Sequence, residues 1–147
     1  MSLKQWQDNG WLKLHKTSRQ QICDLFAIVE RDAEAAQTED LTPDWKFGIA
    51  YNAALKLCTI LLYAEGYRPE NNLAHFRTLQ ALSIILGDKH KKEVEYLEAC
   101  RTKRNKVEYD AVNLASPQEA EELVEYVDEL KKAVLAWLKE KHSNLLP

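Results

Sequence analysis

Apolar residues recur at three- and four-residue steps along most of the chain, and no segment alternates with period two, so the pattern predicts helices and no sheet. The first long helix starts near Ser18, whose spacing to Gln21 fits a capping box, and lines Ile22, Leu25, Phe26, Val29, Ala33 and Ala36 along one face. Thr42-Pro43 opens the second, with threonine as cap and proline at the first helical position. Phe47, Ala50, Ala54, Leu57, Cys58 and Leu61 form its inner side, and Gly66 is a natural stop. This helix is rich in alanine and apolar on more than one side, as in a central helix or one with a second interface. A third helix is expected from Leu73 to Leu86. A fourth, capped by Asp88, runs to about Ala111 and would be on the order of 35 Å long. Ser116-Pro117-Gln118-Glu119 is a second capping box, followed by the stripe Leu123, Val127, Leu130, Val134 and Trp137.

Short connections make consecutive helices antiparallel neighbours, so the expected fold is all-α, an up-and-down bundle of four to five helices. Residues 1–16 read as a docked N-terminal segment, anchored by Trp6, Trp11, Leu12 and Leu14, and residues 17–147 as a single domain.

Composition narrows the function. At 147 residues the chain can bury a core without metals or staples. A net charge of −3 argues against a protein that coats nucleic acid, which would carry a broad basic face. Cys23, Cys58 and Cys100 are odd in number and lie on or near apolar faces, as small buried hydrophobes do in a reducing compartment. The N-terminus has no long apolar run, and Leu57 to Tyr63 is too short to span a bilayer, so a cytoplasmic protein with no membrane contact is expected.

Within this ordinary composition, one arginine is out of place. Leu97, Cys100, Arg104, Val107 and Ala111 are spaced three, four, three and four apart, so Arg104 shares an apolar stripe. A guanidinium cannot shed its charge and is costly to bury unpaired, so it needs partners or a pocket. Asn105, Glu108, Tyr109 and Asp110 surround it in sequence, and Arg101, Lys103 and Lys106 complete the densest positive cluster of the chain. For Lys103 and Lys106 a solvated helix end near the negative pole of the helix dipole is an equal explanation.

Tyr51 and Asn52, with Lys56 on a nearby face, are polar groups in the apolar second helix that either face these arginines or bond within the structure. His75 opens the third helix as a ligand, a proton carrier or a simple loop contact, and His90, in Lys89-His90-Lys91-Lys92, reads as solvated surface. No zinc-ligand spacing, phosphate-binding glycine loop or nucleophile elbow occurs, so no metal and no cofactor are expected.

Four blocks in order resemble the HEPN domain superfamily over about residues 18–140: Ala50-Tyr51-Asn52-Ala53-Ala54-Leu55-Lys56, then Ala64-Glu65-Gly66-Tyr67-Arg68-Pro69, then His75 with Leu79, then Arg104-Asn105-Lys106-Val107-Glu108-Tyr109-Asp110. The resemblance implies a helical up-and-down bundle that pairs into a homodimer, with its cleft at the dimer interface. It also implies a nucleotide- or RNA-binding role in a toxin–antitoxin or defence system, with a nucleotidyltransferase-type antitoxin as partner. Many members are metal-independent ribonucleases with a histidine a few positions after the arginine and its polar neighbour. Here Arg104 and Asn105 fill the first two places, but the fifth position after Arg104 is Tyr109, and no histidine lies between Lys91 and Lys141. Tyrosine, with a pKa of about 10, is a poor base near neutral pH, whereas an arginine fork still grips phosphate.

The expected function is therefore a dimeric, HEPN-like nucleotide- or RNA-binding module, weak or inactive as a catalyst. Its ligand candidates are Arg101, Arg104, Asn105, Glu108, Tyr109, Asp110, Tyr51, Asn52 and His75. One alternative is a non-enzymatic assembly protein with Arg104 in an interface ion pair. The other is a metal-independent ribonuclease with a tyrosine-modified site, using His75 to carry the proton.

Overall fold

The computed structural model describes residues 1–109 and 112–147, except for the side chains of residues 108 and 109. Among the described residues the fold is all-α apart from one small sheet. Its elements are α1 (Leu3–Asp8), β1 (Leu12–Leu14), α2 (Arg19–Ala35), α3 (Pro43–Ala64), β2 (Tyr67–Pro69), α4 (Ala74–Leu86), α5 (Lys91–Tyr109) and α6 (Pro117–Lys141).

The central helix is α3. Thr42 accepts the Trp45 amide and Pro43 sets the first turn, as the sequence predicts. The helix packs on α2 and α6 and also on α4 and α5, so it has almost no solvent face. Its Ala50, Ala53, Ala54, Leu57, Cys58, Ile60, Leu61 and Leu62 are all but fully buried. By length and composition α3 could cross a membrane, but most of it is buried inside the fold as a core helix. Small residues at Ala50, Ala53 and Ala54 let the neighbouring helices approach closely.

The flanking helices follow their stripes. On α2, Ile22, Phe26 and Val29 are buried, and on α6 the residues Leu123, Val127, Leu130, Val134 and Trp137 are too. The capping box at Ser116 and Glu119 is complete. At Ser18 only half of it forms: the hydroxyl accepts the Gln21 amide, but the Gln21 carboxamide turns back to Thr17 and His15. On α5 burial fades along the stripe, from Leu97 and Cys100 in the core to half-exposed Arg104 and Val107, and Ala111 lies outside the described residues. Arg104 thus sits where the stripe leaves the core.

Three expectations are corrected. A sheet does exist: β1 and β2 pair antiparallel, with Leu12 opposite Pro69 and Leu14 opposite Tyr67. Gly66, in the left-handed region at φ 89°, turns the chain out of α3 into β2. Strands of three residues are too short to express a period in sequence. Leu14 is not an anchor: it is 69% exposed, although it lies on the same face of β1 as the buried Leu12. Trp6 and Leu12 are buried against Leu62 and Ala81, and the Arg77 guanidinium lies 3.8 Å from the centre of the half-buried Trp11 ring. Finally, α5 is not capped by Asp88. Gly87 leads into a single 3₁₀ turn, Asp88–His90, and the helix proper starts at Lys91.

Candidate functional site

The polar residues of interest converge where α3, α4 and α5 meet. From α3 comes Tyr51, only 1% exposed in an apolar helix. From α5 come Glu98, Arg101 and Arg104, one turn apart and hence on one face. The Arg104 guanidinium carbon lies 5.8 Å from the centre of the Tyr51 ring, and its NH1 donates to Asn105 Oδ1 at 3.3 Å. Arg101 Nε donates to Glu98 Oε1 at 2.5 Å. His75, in the first turn of α4, completes the group with Lys56 from α3.

Electrostatics ties these residues together. Burial holds the Tyr51 hydroxyl well above its ordinary pKa, against the opposing pull of Arg101 and Arg104. His75 is depressed below the usual histidine value, first by partial desolvation and then by Arg104, Lys56 and Arg101. The imidazole is therefore biased towards its neutral form, and a bound anion would pull it towards imidazolium.

Among the described residues no group bonds the Tyr51 hydroxyl, and none bonds Glu98 Oε2, although both atoms are buried. Buried polar atoms are nearly always hydrogen-bonded, and each one left over costs about 1–3 kcal/mol. Of the two atoms, the Tyr51 hydroxyl lies in the field of both arginines and can meet an acceptor, and the Glu98 oxygen, on the carboxylate that Arg101 holds, can meet a donor. Glu98 is the residue the sequence reading missed; its place one turn before Arg101 was the available signal.

The other candidates disperse. Asn52, next to Tyr51 in sequence, points to α2, where its amide donates to Asp32 Oδ2 at 2.6 Å. It helps satisfy the buried Asp32 carboxylate, which Arg31 also holds. Of the basic cluster, Lys103 pairs with Glu119 across to α6, and Lys106 is exposed. The side chains of Glu108 and Tyr109 and the whole of Asp110 lie outside the described residues. His90, expected in solvent, is instead largely covered and bonded to Glu93, whose other oxygen accepts the Tyr126 hydroxyl at 2.7 Å.

Cys58 and Cys100 match their sequence reading as small buried groups, whereas Cys23 is only partly covered. Cys58 is pushed up to about 12 and Cys100 to about 11, in both cases chiefly by burial, so neither is a nucleophile near neutral pH. Among the described residues no cluster of histidine, cysteine and carboxylate side chains could hold a metal. Comparison of the chain with protein-family profiles, characterised proteins and solved structures gives no match.

Proposed function

We propose that this chain is a HEPN-like module, an up-and-down helical bundle acting as a cytoplasmic homodimer, that binds a nucleotide or an RNA phosphate. Arg101 and Arg104 grip the phosphate, and Tyr51 and Glu98 sit beneath. The observation that carries this reading is the pair of buried polar atoms, Tyr51 Oη and Glu98 Oε2, that no group among the described residues satisfies. A bare anion answers only half of that set. A nucleotide answers both halves once the arginine side chains turn outward to grip it: its phosphate then accepts from the guanidinium groups and the Tyr51 hydroxyl, and a sugar hydroxyl donates to the Glu98 carboxylate. Asn105 orients Arg104 for this task. The same reading extends to a toxin–antitoxin or defence setting with a nucleotidyltransferase-type partner, on the strength of the sequence resemblance.

The test is binding of a fluorescent single-stranded RNA oligonucleotide across a salt series. Affinity should fall with salt, with a log–log slope of about −0.7 for each phosphate contact. Arg101→Gln should weaken binding and flatten the slope, while Arg104→Lys, which keeps the charge but loses the planar fork, should weaken binding with little change of slope. Binding that ignores salt, or that both variants leave intact, would overturn the proposal. If Arg104→Lys instead turns a dimer into a monomer, the residue belongs to a subunit contact and the assembly role is the better account.

A ribonuclease reading is favoured by one feature, a neutral-biased imidazole at His75 within the field of both arginines. Such a group is suited to take the 2′-hydroxyl proton. RNA that stays intact over hours with concentrated protein in EDTA would remove this reading and leave the binding module.

A further inference from the structure

Where α3 begins and α5 ends, a cavity of about 540 Å³ opens between Trp45, Gly48, Arg104, Val107 and Val112. Its volume is in the range that holds a small-molecule ligand. Two of its walls are apolar groups turned to water, Trp45 at 67% exposure and Val112 at 76%. Asp44 fixes the far rim, its carboxylate accepting the amides of Asn113 at 2.5 Å and Ala115 at 2.9 Å.

Gly48 is the telling residue. It lies inside α3, where glycine is the poorest choice after proline. Its φ is not in the left-handed region, and a methyl group added there would meet no atom of the described residues within 4 Å. Neither backbone conformation nor close helix packing among the described residues calls for glycine. The missing side chain leaves the cavity floor bare, one helical turn from the Trp45 ring and one turn before Tyr51. Arg104 lines this cavity and also lies over Tyr51, so the cavity and the polar cluster share a wall.

We infer that this cavity is a base subsite: a nucleobase stacks on Trp45 above Gly48 while its phosphate reaches Arg104. The inference rests on the phosphate-binding reading above and adds to it the recognition of an unstacked base. The occupant is a planar aromatic ring joined to an anion, because the cavity pairs an exposed indole with a guanidinium. Such a site suits a free nucleotide or a base splayed from single-stranded RNA.

ADP and pyrophosphate, which share the diphosphate, separate the two ideas. Each is titrated calorimetrically into wild type, Trp45→Ala and Gly48→Leu, with tryptophan emission followed in parallel. Both substitutions fall at positions open to solvent or cavity, and thermal melts confirm that the variants are folded. Wild type should bind ADP more tightly than pyrophosphate, with a change in emission that Trp45→Ala abolishes. Trp45→Ala and Gly48→Leu should each weaken ADP by about five- to a hundredfold, the worth of one base stacked on an aromatic ring, and leave pyrophosphate within about twofold. If ADP binds no better than pyrophosphate, or the variants weaken both alike, the base subsite is wrong while the phosphate site stands. If wild type binds neither, both fail.

Discussion

Replacing Tyr51 with phenylalanine should make the free protein more stable, contrary to the usual effect of removing a polar group from a core. The ring stays buried at 1% exposure, and its contact with Arg104 needs only the aromatic face. The change removes one hydroxyl that is shut away from water and bonded to no group among the described residues. Burying such a group costs about 1–3 kcal/mol, so Tyr51→Phe should gain about 1–2 kcal/mol. For a chain of this size that raises Tm by about 3–6 °C. Tyr126 supplies the internal control. Its hydroxyl donates to Glu93 at 2.7 Å, so the identical chemical change there removes a bond to a charged group and should cost about 1.5–3 kcal/mol. Urea denaturation followed by circular dichroism reads both signs, and calorimetry should show that Tyr51→Phe binds pyrophosphate more weakly. If Tyr51→Phe destabilises by more than about 1 kcal/mol, the hydroxyl is held by a bridging water as part of the fold, and the argument from unsatisfied groups fails.

Three further outcomes are expected. Because the folded-state pKa of His75 lies below 6.5, the native state favours neutral imidazole; the stability present above pH 6.5 should fall as pH drops through the lowered value. His75→Gln should remove that part of the slope, and identical pH profiles for wild type and variant would refute it. Arg77→Ala should free the N-terminal segment by losing its contact with Trp11, costing about 0.5–2 kcal/mol. Limited trypsin digestion should then cut at Lys13 sooner while α2 to α6 persist, and unchanged digestion would contradict the assignment. Asp44→Ala should cost about 1–3 kcal/mol, because two amides of the loop before α6 lose a carboxylate acceptor. Faster hydrogen exchange at Asn113 and Ala115 is the readout.

How much of this was legible beforehand depended on whether a residue acts through its own helix or through a distant partner. The α6 stripe was readable because Leu123, Val127, Leu130, Val134 and Trp137 repeat at helical spacing, and each is buried. The caps at Thr42 and Ser116 are equally local. Tyr51 and Asn52 show the opposite case. They are adjacent in sequence but about 100° apart around α3, so one turns to α5 and the other to Asp32 on α2. Only the packing of α2 and α5 on different sides of α3 decides which is which. His90 looked solvated among lysines, yet the 3₁₀ turn before α5 brings it onto Glu93. Trp45 falls off the stripe that begins at Phe47, and how far its indole is exposed depends on where the neighbouring helices end.

The central claim is that Arg101 and Arg104, above Tyr51 and Glu98, form a phosphate site. Its most direct test is the Tm of wild type and of the Arg101→Gln/Arg104→Lys double variant, each titrated with pyrophosphate at low salt. A ligand that binds only the folded state stabilises it by about 2.7 kcal/mol at a hundred times Kd, so wild type should climb steadily with concentration while the double variant stays flat. Equal rises in both proteins, or none in wild type, would contradict the claim.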